Sequence, residues 1–144
     1  MLRSLVVTIS VVLSVAAVVP AAAASAPLPD LVPSQFRIET TSEGGACGAS
    51  FQITVKNKGG ADARAYIVDV GVIRNDVAVF SFPVFVAGTA ARNRTTVAGS
   101  FGGVEGGVFR LAFGVNQFDP MEESDDSNNS LLSRPFACPA PALR

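Results

Sequence analysis

Asp119, Glu122, Glu123, Asp125, Asp126 and Asn128 bring hard oxygen donors together in one short segment. Calcium takes about six to eight such oxygens, so cation binding is the first chemistry this segment offers. The spacing does not reproduce an EF-hand loop, which needs a glycine at its sixth position. The competing reading is a solvated turn whose Asn and Asp side chains bond nearby backbone groups. Exposed carboxylates a few ångströms apart in water repel by only about 1 kcal/mol per pair, too little to demand a metal. A turn and no cofactor are therefore expected. Were calcium to bind, Asp119, Glu123, Asp125 and Asp126 would be its ligands.

Other chemistries are poorly served. The chain has no histidine, which removes the usual general base, the Ser-His and Cys-His pairs and the commonest zinc ligand. A glycosidase needs two carboxylates flanking a cleft, whereas the acidic residues here concentrate in one segment, five of the 12 between Asp119 and Asp126. No enzyme is expected. The basic residues are scattered, with no Lys/Arg block interleaved with aromatics, so a nucleic-acid surface is not expected either. Asn93-Arg94-Thr95 and Asn128-Asn129-Ser130 fit the glycosylation pattern and carry little weight.

The first residues are an address. Met1-Leu2-Arg3 is a short basic start, residues 4–19 are apolar, and Pro20 is followed by small residues through Ala24. This is the layout of a secretory signal peptide. The apolar run falls short of the roughly 20 residues that span a bilayer. Cleavage after Ala24 is expected, giving a signal peptide over 1–24, a linker over 25–29, one domain over 30–138 and a flexible tail over 139–144. No membrane insertion should follow cleavage, and the location should be extracellular. Without Arg3, the 11 basic residues become 10 against 12 acidic ones.

The domain itself reads as strands. Phe36, Ile38 and Thr40 alternate with charged residues, and Pro33 suggests that this strand begins at a sheet edge. Residues 41–48 read as a Gly-rich turn. Phe51, Ile53 and Val55 alternate with polar residues, and Asn57-Lys58-Gly59-Gly60 accepts the positive φ of a turn. Tyr66, Val68, Val70 and Val72 alternate again, Asn75-Asp76 turns, and residues 77–86 are apolar on both faces apart from Ser81 and Pro83. A strand over 92–101, a flexible Gly-rich loop over 102–107 and a final hairpin over 108–136 complete the chain. Regular strands without helical periodicity predict an all-β, immunoglobulin-like sandwich of about seven antiparallel strands in two sheets. The absence of Trp leaves the 10 Phe residues to supply the large core groups.

Several segments, in order, resemble the CARDB module (cell adhesion related domain found in bacteria). Asp30-Leu31-Val32 is similar to its opening, and the segment from Phe51 to Asn57-Lys58-Gly59 to its second strand and turn. Gly88-Thr89 matches a short turn, and Gly107-Val108-Phe109-Arg110-Leu111 the later strand. Glu123-Ser124-Asp125-Asp126-Ser127-Asn128-Asn129 matches the acidic ending. Asn116-Gln117-Phe118 intervene before Asp119-Pro120, so the last hairpin should be longer or bulged. The resemblance implies an immunoglobulin-like fold and a general role in extracellular binding, without naming a ligand.

Three expectations follow for particular residues. An isolated cysteine pair in an exported chain usually forms a disulfide, so Cys47 and Cys138 should be bonded. Phe80 and Phe82 should share one face of their strand and Val79 and Phe85 the other, either covered by loops or exposed as an interaction patch. Asn128 and Asn129 should bond the backbone and orient the last strand, and Asn129→Ala should cost about 1 kcal/mol. The leading function is a secreted, non-catalytic interaction module that binds an extracellular protein or a cell-envelope glycan. The alternative is a purely structural or accessory domain of another exported protein or assembly.

Overall fold

The computed structural model describes residues 25–43, 46–118 and 120–138. The predicted signal peptide and C-terminal tail lie outside the described residues, as does Asp119. No helix among the described residues is long and apolar enough to cross a membrane. Eight strands follow one another: β1 (Leu31–Glu43), β2 (Ala46–Asn57), β3 (Tyr66–Arg74), β4 (Val77–Val86), β5 (Arg94–Val104), β6 (Gly107–Val115), β7 (Ser130–Leu132) and β8 (Phe136–Cys138). One sheet has the order β1-β2-β5, and the other β4-β3-β6-β7 with β8 also paired to β6. All pairings are antiparallel. The chain passes between the sheets after β2, after β4 and after β5, which produces the immunoglobulin-like sandwich.

The alternating residues meet between the sheets. Phe51, Ile53 and Val55 of β2 face Val68, Val70 and Val72 of β3 and Phe109, Leu111 and Phe113 of β6, all buried. Phenylalanine does take the place of tryptophan. The Phe51 ring lies 5.5 Å from Phe113 and 6.2 Å from Phe82 across the core. Room for it comes from Gly99, its register partner on β5, where a Cβ would meet the Phe51 ring at 2.6 Å.

The strand boundaries differ from the sequence expectation at three places. The predicted turn over 41–48 is mostly strand, because β1 and β2 stay paired out to Glu43↔Ala46. Cys47 therefore lies inside β2 rather than ahead of it. The predicted Gly-rich loop over 102–107 is likewise a tighter connection, since β5 runs to Val104 and β6 starts at Gly107. The predicted last strand is divided into β7 and β8. Between them Ser133 N–H donates to Leu111 O and the Ser133 hydroxyl accepts from Leu111 N–H, while Pro135 has no N–H to give to a ladder.

Cys47 and Cys138 are disulfide-bonded, with Cα atoms 5.9 Å apart across 91 residues of sequence. Cys47 belongs to the three-stranded sheet and Cys138 to the five-stranded one, so the bond joins the two layers.

Candidate functional site

Three surfaces carry the residues of interest, and a buried polar framework sets where each one lies. The framework starts at Asn57, the last residue of β2 and almost fully buried. Its Oδ1 accepts from Asp30 N–H (3.1 Å) and Gly59 N–H (3.0 Å), and its Nδ2 donates to Ala61 O (2.8 Å) and Thr89 O (3.0 Å). One amide thus satisfies four backbone groups from three segments of chain. Thr89 extends the framework: its hydroxyl shares hydrogen bonds with Tyr66 (2.8 Å) and Thr95 (2.9 Å). Burial raises the Tyr66 phenol above its ordinary pKa, against the opposing effect of the Thr89 bond.

The first surface is the acidic segment. It is longer than a turn, because residues 116–118 leave β6, and residues 120–129 lie against the start of β1 and lead into β7. Glu123 fastens it. Its Oε2 accepts from Leu31 N–H (2.5 Å), and its Oε1 accepts from the Asn116 amide (2.6 Å) and the Asn129 amide (2.8 Å). Ser124 N–H donates to Pro29 O at 2.9 Å, which ties the same segment to the residue before Asp30. Asp125 sits in the open, where the Ser127 hydroxyl (2.6 Å) and N–H (3.0 Å) hold its carboxyl below the usual carboxylate range. Asn128 donates to Asp30 (3.0 Å) and to Asp125 (3.0 Å).

The Glu123 and Asp125 carboxylates are thus spent on protein donors. Among the described residues no group of three His, Cys, Asp or Glu is placed to hold a metal. One expectation needs correcting: Asn128 and Asn129 bond carboxylates, not backbone, through their side chains. A bond to a charged acceptor is worth somewhat more than a neutral one. Yet Asn129 Oδ1 is buried without a protein partner, so deleting the side chain also removes an unfavourable group. The two effects leave Asn129→Ala costing about 1 kcal/mol, measurable by urea denaturation.

The second surface is β4, an edge strand of the five-stranded sheet. Phe80 pairs with Val72 and Phe82 with Val70, so both point toward the core. Their rings continue the aromatic cluster, Phe80 lying 6.1 Å from Phe82 and 5.9 Å from Phe101 of the opposite sheet. Phe85 is the register partner of Ile67 on the outer face and is 71% exposed. Val79 is the extra residue of a bulge between Val72 and Ile73 and is 47% exposed. The four candidate residues therefore divide: Phe82 packs on the core, Phe80 lies at its rim, and Val79 and Phe85 face out.

The third surface was not anticipated. Basic residues that are scattered in the sequence converge where β2 ends and β5 begins. Lys56 and Arg94 are direct cross-strand partners, and Asn57 N–H donates to Asn93 O at 2.9 Å. This places Lys56-Asn57-Lys58 beside Arg92-Asn93-Arg94. The shared cation-Asn-cation pattern was the signal that sequence reading could have used; only the β2–β5 register makes it spatial.

No family model matches the chain, and no curated protein does. Among solved structures, it is similar to the CARDB domain of the PF1109 protein from Pyrococcus furiosus, crystallised in complex with di-metal ions. That likeness has 18% identity, covers 73% of this chain and 89% of the other, and has a TM-score of 0.48. A solution structure of the same domain matches at 18% identity and a TM-score of 0.45, over 73% of this chain and 91% of that one. The structural-genomics target SoR45 matches at 12% identity and a TM-score of 0.47, over 79% of this chain and 89% of that one. The likeness is one of fold.

Proposed function

We propose that this chain is an exported, non-catalytic interaction module that engages an extracellular protein through the outer side of the β4 edge. The observation that carries the reading is the exposure of Phe85 (71%) on the outer face and of Val79 (47%) at the bulge of one edge strand. Large apolar groups gathered on one element mark contact sites, and among the described residues β4 carries four of the seven exposed ones, Val77, Val79, Phe80 and Phe85, the others being Val108, Phe118 and Leu132. Pro83 lies in the same strand opposite Asp69, where its missing N–H limits uncontrolled strand addition at that edge. The signal-peptide pattern of the first 24 residues supports export. The lack of histidine, together with the hydrogen-bonded state of Glu123 and Asp125, supports a non-catalytic role.

Two variants test the reading. Phe85→Glu should melt within a few degrees of the parent, since exposed substitutions usually change stability by no more than about 0.5 kcal/mol. It should also lose capture of its partner from culture supernatant. Phe80→Glu should be destabilised by about 1–3 kcal/mol, because it places a charge at the rim of the aromatic cluster. Retention on the cell-wall fraction that Phe85→Glu leaves intact would favour the glycan instead. Unchanged association in a folded Phe85→Glu protein, on both fractions, would leave only the structural-domain alternative.

A further inference from the structure

We infer that the pocket formed by Lys56, Asn57, Lys58, Arg92, Asn93 and Arg94 is a binding site for a ligand carrying closely spaced phosphate groups. It lies at the end of β2 away from the disulfide and is independent of the β4 face.

The cavity is about 480 Å³ and is lined by those six residues. Four of the six are cations, in a chain whose net charge is −1. The ion pairs among the described residues are Arg37–Glu39 and Arg74–Glu105, so none of the four cations is neutralised by either. Gathering like charges around one cavity works against folding; no carboxylate lines the cavity, although Asp125 beyond its rim interacts with Lys58. An anionic ligand would offset the remaining charge.

Backbone conformation supplies a second, independent observation. Asn93 N–H donates to Ala90 O at 3.1 Å, closing a turn in which Arg92 has φ of 60°. The third residue of such a turn is ordinarily glycine or asparagine, because a side chain with a Cβ is strained there. Asn93 is adjacent, yet the strained position holds an arginine. Strain retained at one residue points to a role for that residue. The turn is also held rigidly: Asp62 accepts from Ala91 N–H at 2.7 Å, and Thr89 O is bonded by both Ala63 N–H and the Asn57 amide. The buried framework around Asn57 and Thr89 thus fixes the cationic rim in advance of any ligand.

The ligand class follows from the lining. No aromatic ring is available for stacking a sugar or a base, which leaves charge and hydrogen-bond donation as the means of recognition. Arginine offers a planar fork and lysine a point charge, and both serve phosphate oxygens. A single phosphate brings about two negative charges, so four cations around a cavity of this size match two or more neighbouring phosphates.

Calorimetric titration of the disulfide-bonded protein with sodium tripolyphosphate tests the inference. One-to-one binding is expected, stronger than that of inorganic phosphate or of citrate, and weakened by added salt. Lys58→Gln and Arg92→Gly should each reduce affinity by about tenfold, the usual effect of losing one charge-assisted hydrogen bond. Arg92→Gly should also keep or raise the melting temperature, since glycine relieves the left-handed backbone, so its lost affinity could not be ascribed to unfolding. Arg134→Gln removes the same charge away from the cavity and should bind like the parent. The inference is overturned by absence of binding, by equal binding of citrate, or by an equal loss of affinity in Arg134→Gln.

Discussion

Replacing Cys47 and Cys138 together by alanine is expected to destabilise the folded protein by about 4–5 kcal/mol, the largest effect of any change considered. The bond closes a span of 91 residues, and in the chain-entropy account a loop of that length restricts the unfolded chain strongly. The native geometry amplifies the consequence. β8 is only three residues long and pairs with β6 over Gly107, Val108 and Phe109 alone. Cys47 is held on both sides, opposite Ser42 of β1 and Val104 of β5, so the disulfide anchors a weak terminal strand to a well-paired one in the other sheet. Phe136 stacks on Phe109 at 5.9 Å, and that contact should loosen when the tether is lost. Urea unfolding of the double variant beside the oxidised parent gives the number directly. Two titratable thiols in the unfolded, unreduced parent, or a difference below about 1 kcal/mol, would contradict it.

The second large effect is expected from Asn57→Ala, at about 3–4 kcal/mol. The side chain is 1% exposed, and alanine cannot replace any of its four hydrogen bonds. Asp30 N–H, Gly59 N–H, Ala61 O and Thr89 O would each lose a partner. Stranded buried groups cost about 1–3 kcal/mol apiece, reduced here because the turns can relax toward water. Asn57→Asp is a sharper version of the same experiment. It keeps the two acceptor bonds but turns a carboxylate oxygen toward the carbonyls of Ala61 and Thr89, so it should be no more stable than the alanine variant. Denaturation curves for both variants check this, and a cost under about 1 kcal/mol for either would mean that the framework is not what joins these three segments.

The two sites also separate stability from recognition. The disulfide and Asn57 lie at opposite ends of β2, with the core side chains Phe51, Ile53 and Val55 between them. Losing the disulfide should leave the cationic pocket in place for as long as the domain stays folded, whereas losing Asn57 should disturb Arg92 and Arg94 through Thr89.

The sequence alone determined the class of fold and the centres of most strands, though not their ends or the division of the last one. Alternation of apolar and polar residues is a local property with a period of two, so Phe51, Ile53 and Val55, or Phe109, Leu111 and Phe113, announce a buried face without reference to anything distant. The pairing of the two cysteines was equally legible, because a chain with two of them offers one partner for each. What could not be read locally was decided by register. Whether Phe80 and Phe82 or Val79 and Phe85 faced inward depended on how β4 lies against β3, since a shift of one residue would exchange the faces. The acidic segment read as a turn because its composition is that of a turn; its clasp on Leu31 joins residues 92 apart. Lys56-Asn57-Lys58 and Arg92-Asn93-Arg94 were unremarkable as separate triplets, and only the antiparallel match of Lys56 with Arg94 makes them one pocket. Periodicity is written along the chain, but proximity between distant residues is set by closing loops and choosing strand partners, and that choice is made by the whole core at once.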